Sequence, residues 1–129
     1  MNNSIVNLLI QLKNASLVFK ETIVVSYSAL VLKMVKVLYK QGLIQHYRVF
    51  NISTNKKGIK ISIRYRFGKP VFGNLKILSK PSNLKYLRLK DLYKIREKKR
   101  IFFLSTSLGF LTSLECKKLR IGGKILFVS

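Results

Sequence analysis

The stretch Gly58-Ile59-Lys60-Ile61-Ser62-Ile63-Arg64-Tyr65-Arg66, residues 58–66, alternates between two kinds of side chain. Period two is the repeat of a β-strand, whose successive side chains point to opposite faces. One face would carry Ile59, Ile61, Ile63 and Tyr65, and the other Lys60, Ser62, Arg64 and Arg66. The strand should therefore bury one face and present the other as a basic surface. Asn55-Lys56-Lys57-Gly58 supplies turn residues just before it, so a hairpin is expected there. Just after it, Gly68, Pro70 and Gly73 break the pattern within six residues, where an internal boundary is expected.

Toward the N-terminus the period changes. Ile5, Leu8, Leu9 and Leu12 recur at steps of three and four, predicting a helix over Ser4 to Ala15 that buries one face. The run Leu17 to Val25 is rich in Val, Ile and Phe and has little helical period. Ser28 is a good N-cap for a second helix, Ala29 to Lys40, ended by Gly42 in the left-handed conformation. Leu30, Met34, Val37 and Leu38 would form its buried stripe. Lys33, Lys36 and Lys40 would lie on another face, as a solvated surface or as RNA contacts.

Toward the C-terminus, short strands are expected at Leu75 to Leu78 and Lys85 to Leu89, then a charged segment from Lys90 to Arg100. A strand from Ile101 to Leu104 should run into a Ser105-Thr106-Ser107 turn, with a helix over Thr112 to Leu119 and a last strand over Lys124 to Val128. The sum is an α+β protein of two small subdomains. Residues 1–70 would hold two helices with a short mixed sheet, and residues 71–129 a mostly β subdomain with a short helix.

Composition narrows the function. The 129 residues are 48% hydrophobic, enough to build a core, yet 26 Lys and Arg face only 4 Asp and Glu, a net charge of +22. A surface so repelled by itself calls for a polyanionic partner. The acids Glu21, Asp91, Glu97 and Glu115 are dispersed, offering neither a general acid and base pair nor a hard-metal site. Cys116, the one cysteine, cannot form an internal disulfide, which points to a reducing compartment, and with the lone His46 it falls short of a zinc set. The longest stretch without charge, Ile101 to Leu114, is 14 residues, against about 20 for a membrane span. Met1 to Leu12 carries no Lys or Arg, so no removable targeting segment is expected.

Three hydroxyl residues, Ser105-Thr106-Ser107, with Gly109 close behind, form the most unusual local feature. Such a group can read sugars and base edges of folded RNA, or simply satisfy its own backbone as a turn. A nucleophilic serine is disfavoured, because no acid lies near His46 in sequence and no glycines bracket a serine as a nucleophile elbow requires. Lys80, beside Pro81, and Tyr86 place a phosphate-neutralising cation and a stacking ring close together.

At these residues the sequence resembles the universal small-subunit ribosomal protein eight family. The densest match is Leu104-Ser105-Thr106-Ser107-Leu108-Gly109-Phe110-Leu111-Thr112, followed at the family's spacing by Gly122-Gly123. Leu9, Leu12, Asn14, Ala15, Ser28, Leu30, Leu38, Gly42, Ile44, Lys80, Pro81 and Tyr86 agree in order, so the resemblance runs from Asn3 to Val128. Ser82, Cys116 and Lys124 depart from it, standing where glycine, alanine and often glutamate are usual, and Ser4-Ile5 replaces an Asp-Pro start. The lysine puts in doubt any contact that needed a carboxylate, and a lysine there suits phosphate.

The resemblance implies a protein that binds the central domain of small-subunit ribosomal RNA, chiefly through its C-terminal half, with other small-subunit proteins as neighbours. Ser105, Thr106, Ser107, Gly109 and Tyr86 would touch RNA, Gly123 would let backbone pass nearby, and Lys13 and Asn14 would be secondary contacts. No cofactor, metal, membrane or small-molecule substrate is expected, and no reaction. Two other classes are a cationic protein for anionic membrane surfaces and a basic RNA-modifying enzyme. The first needs an exposed amphipathic helix, whereas the strongest alternation is that of a strand; the second lacks acids and histidines. The bias to Lys, Ile, Asn, Phe and Tyr suits an AT-rich genome. An organelle-encoded protein of the mitochondrial ribosome is expected, before a plastid or a bacterial cytoplasm.

Overall fold

A computed structural model describes residues 3–71, 76–77, 86–94 and 102–128. The chain divides into one compact unit over Ser4–Gly73 and another that holds Asn74–Ser129 together with Met1–Asn3.

The N-terminal unit opens with helix α1 (Asn3–Leu17), which buries Ile5, Leu8, Leu9, Leu12 and Ala15. It runs two residues past the expected end. Lys20 N–H donates to Ala15 O and Phe19 N–H to Ser16 O, a left-handed cap with Phe19 at φ +56°. Strand β1 (Thr22–Ser26) follows, and Ser28 then caps α2 (Ala29–Lys40), its hydroxyl accepting from Val31 N–H at 3.0 Å. Gly42, at φ +75°, closes α2 as expected. Replacing Ser28 with alanine should cost about 1 kcal/mol of stability, measurable by urea unfolding, because the first-turn amide would lose its partner.

The buried stripe of α2 is Val31, Met34, Val35 and Leu38, whereas Leu30 and Val37 are half-buried. The helix is apolar on most of its circumference, so the pattern alone placed the stripe about one residue away from where packing puts it.

Strands β2 (Ile44–Ser53) and β3 (Lys56–Ile63) form the expected hairpin, but it turns at Thr54 and Asn55, with Lys56, Lys57 and Gly58 already paired in β3, and the sheet order is β1-β3-β2. Ile59, Ile61 and Ile63 are buried while Lys60 is exposed, as the alternation requires. This sheet is antiparallel throughout rather than mixed. The crossover β1-α2-β2 makes its two strands run in the same direction, but β3 inserts between them and opposes both. A small hairpin, β4 (Tyr65–Arg66) with β5 (Lys69–Pro70), ends the unit.

In the C-terminal unit, strands β6 (Lys76–Ile77) and β7 (Tyr86–Leu87) precede helix α3 (Leu89–Lys94), so the charged segment begins as a helix. The remainder of that segment, from residue 95 to 100, lies outside the described residues. Strand β8 (Phe102–Thr106), strand β9 (Gly109–Thr112), helix α4 (Ser113–Leu119) and strand β10 (Gly123–Val128) complete the chain. Strand β10 pairs antiparallel with β8 and with both short strands, β6 and β7. Leu92, Leu104 and Cys116 are fully buried, joined by Leu87, Leu89, Phe102, Leu111 and Ile121. Burial pushes the Cys116 thiol pKa up, with the adjacent Glu115 charge adding to the effect. The Phe103 and Phe127 rings stack at 4.4 Å.

Candidate nucleic-acid interface

The hydroxyl segment is not one turn, as the composition suggested. Ser105 and Thr106 belong to β8, which pairs through Thr106 with Gly109 of β9, and only Ser107 and Leu108 form the connecting turn. Strand pairing on both sides extends β8 through these residues, since β10 and β9 each offer a backbone ladder.

The three hydroxyls therefore have different roles. Thr106 Oγ1 donates to Gly109 O at 2.8 Å and accepts from Leu108 N–H at 3.2 Å, so it braces the turn. Gly109, at φ +109°, lets the chain re-enter the sheet with a backbone that side-chain-bearing residues rarely adopt. Ser107 is exposed and Ser105 half-exposed. Among the described residues no hydrogen bond from either side chain is seen. Thr106 and Gly109 shape the loop, while the Ser105 and Ser107 hydroxyls take no part in bracing it.

Register brings distant residues into line. Lys124 of β10 is opposite Tyr86 of β7 on one side and Ser105 of β8 on the other, and Ser105 is opposite Phe110 of β9. Directly opposed residues share a face, so Tyr86, Lys124, Ser105 and Phe110 form one row across four strands, about 14 Å long at ~4.8 Å per strand. Tyr86 is 61% exposed and Lys124 is exposed, while Phe110 is partly so. Sequence reasoning missed Phe110, whose signal is the strand following Gly109.

The double glycine makes this row possible. A Cβ on Gly123 would stand 2.7 Å from both Ser105 O and Thr106 Cγ2, and one on Gly122 would press into Leu87 O and lie 3.3 Å from the Tyr86 hydroxyl. Strand β10 thus threads between β7 and β8 without side chains at its entrance.

The acids nearby are already engaged. Asp91 Oδ2 accepts from Arg88 N–H at 3.1 Å at the start of α3, and Glu115 closes a capping box with Thr112 at the start of α4. No metal-holding group of His, Cys, Asp and Glu occurs among the described residues. His46 lies within 6.5 Å of the Tyr39 and Tyr47 rings, an aromatic cluster in the other unit.

Of the remaining sequence-predicted residues, Lys13 and Asn14 are exposed on α1 and Lys33 on α2, all in the N-terminal unit. Lys80 lies outside the described residues. On the N-terminal sheet Arg48 and Lys60 are direct cross-strand partners, a like-charge pair that is unfavourable unless an anion bridges it. No described helix is long and apolar enough to cross a membrane.

A basic α+β protein of two units, with a hydroxyl, lysine and aromatic row across one sheet, has the make-up of an RNA-binding protein. The family model for ribosomal protein S8 matches residues 3–128, and the chain belongs to that family. It is 32% identical over 126 residues to the small ribosomal subunit protein uS8 of Stenotrophomonas maltophilia, covering 98% of this chain and 96% of the relative. Over the same shares it is 29% identical to uS8 of Ehrlichia chaffeensis and 31% identical, over 134 residues, to uS8c of Tetradesmus obliquus.

Proposed function

We infer that this chain is a structural component of the small ribosomal subunit, binding the central domain of small-subunit ribosomal RNA through its C-terminal unit and supporting its folding. The observation that carries this reading is the row Tyr86, Lys124, Ser105 and Phe110. Lysine neutralises phosphate, the serines donate to and accept from sugars and base edges, and the aromatic rings stack on exposed bases or cover the sugar. Affinity comes from the excess of cations, and selection of the site from the shape of the hydroxyl loop. Gly109 and Gly123 act through the backbone, and Lys80, Lys13, Asn14 and Lys33 add phosphate or sugar contacts.

Neighbouring small-subunit proteins complete its surroundings. No reaction, cofactor, small-molecule substrate or membrane belongs to this role. Its compartment is a ribosome-bearing one, and the Lys, Ile, Asn, Phe and Tyr bias favours an organelle, the mitochondrion first.

The test separates charge from recognition. Ser105→Ala combined with Ser107→Ala should weaken binding to the small-subunit RNA fragment by roughly 5- to 150-fold, two hydrogen bonds of about 0.5–1.5 kcal/mol each, and leave unrelated duplex RNA nearly unaffected. Lys33→Ala with Lys36→Ala should instead lower both affinities by similar factors. Equal loss on both RNAs for the serine variant would reduce the loop to a structural turn.

A further inference from the structure

The hairpin of β4 and β5 pairs Arg66 with Lys69, leaving Phe67 and Gly68 as a two-residue loop. Phe67 has φ +54° and Gly68 φ +74°. Two left-handed residues in succession make the mirror-image turn that suits the twist of paired strands, and Asn-Gly or Gly-Gly are its usual occupants. A phenylalanine there is sterically costly, because its Cβ crowds the backbone in the left-handed region.

Phe19 adopts the same conformation with evident compensation. Its ring lies 6.0 Å from that of Tyr65, whose hydroxyl donates to Lys20 O at 2.6 Å, tying the end of α1 to the hairpin. Phe67 gains nothing comparable. It is 93% exposed, and its one described ring contact is with the Arg66 guanidinium, 5.7 Å from the ring centroid. Asparagine would serve the turn better, so folding does not account for the ring.

Within three residues of Phe67 stand Arg64, Arg66 and Lys69, and no acid. Arg64 is partly committed, donating to Gly42 O at 3.1 Å, while Arg66 and Lys69 are exposed. An apolar protein pocket would have to desolvate these cations to reach the ring, and interface cores are depleted in lysine. A nucleotide matches both parts: its base stacks on an aromatic ring and its phosphates meet the flanking charges.

We propose that Phe67 and Arg66 form a stacking platform for one unpaired base of the small-subunit RNA, with Lys69 neutralising an adjacent phosphate. This second contact lies on the N-terminal unit and rests on the RNA-binding reading above. It predicts opposite signs for folding and binding. Phe67→Asn should raise the thermal midpoint of the full chain by about 2 °C, because asparagine tolerates the left-handed turn. The same variant should bind a single-stranded oligoadenylate, and the small-subunit RNA fragment, about 5- to 100-fold more weakly. Phe67→Tyr should keep both affinities, whereas Phe67→Leu, apolar but not aromatic, should lose them as Phe67→Asn does.

Unchanged affinity in Phe67→Asn would overturn the platform, and so would wild-type affinity in Phe67→Leu, which would point to an apolar protein partner. Either result leaves the C-terminal reading intact if the Ser105 and Ser107 variant still loses selectivity. Failure of the unsubstituted chain to bind the RNA fragment would instead overturn the RNA-binding reading itself.

Discussion

Affinity of the intact chain for the small-subunit RNA fragment should fall about a thousandfold as monovalent salt rises from about 50 to about 200 mM. Each phosphate that a lysine or arginine neutralises releases condensed counterions, and the logarithm of affinity falls by roughly 0.9 per phosphate per logarithmic unit of salt on a duplex. About six such contacts give the stated fall. The chain can supply them, since 26 cations are opposed by 4 acids. Two of those acids, Asp91 and Glu115, are held at helix starts. The like-charge pair Arg48 and Lys60 adds a local repulsion that a phosphate would relieve. A titration series at fixed pH reads the slope directly. A change of less than about tenfold over the same range would mean that polar readout, rather than charge, supplies most of the affinity.

How much of this was legible in the sequence depended on whether the signal was local. Ile59, Ile61 and Ile63 against Lys60 needed only a period of two, and the strand buries those three. Ser28 and Gly42 end α2 at the expected places because caps act on their own turn. Of the expected α2 stripe, Met34 and Leu38 are buried but Leu30 and Val37 only half so, because Leu30, Val31, Leu32, Val35 and Val37 make the helix apolar on several sides, and only its partners decide which side is buried. The split of the hydroxyl segment was illegible for a similar reason: Ser105 and Thr106 look like turn residues until β9 and β10 supply ladders on either side. The row itself depends on register between strands separated by as many as 38 residues, Tyr86 and Lys124, a relation that no local pattern encodes. The family resemblance reached Ser105, Tyr86 and Gly123 by motif and spanned Phe110 without giving it a contact, and it did not give the order in which the row is built.

Gly122→Ala should be among the most damaging single substitutions in the C-terminal unit, lowering stability by about 2–3 kcal/mol and the thermal midpoint by roughly 6–12 °C. Its Cβ would press into Leu87 O, with the Arg88 Cα at 3.1 Å and the Tyr86 hydroxyl at 3.3 Å. Two of these three neighbours are backbone, which cannot rotate away as a side chain can. Relief requires β7 to move off β10, and β7 is only Tyr86–Leu87, so little pairing holds it. Leu87 also packs against Leu92, Leu104 and Cys116, so its displacement opens that core as well. Gly109→Ala provides the contrast, because its Cβ would meet nothing within 4 Å and only its φ of +109° resists a side chain. That strain should cost about 1–2 kcal/mol without moving β7. Urea unfolding measures both variants, and hydrogen exchange at Leu87 and Gly123 reports the pairing between β7 and β10. Gly122→Ala should also bind the RNA fragment weakly at low temperature, where it is still folded, because Tyr86 has left the row. A stability loss below about 0.5 kcal/mol, with exchange at Leu87 unchanged, would show that the sheet accommodates the methyl group and that the close passage of β10 beside β7 is looser than the geometry requires.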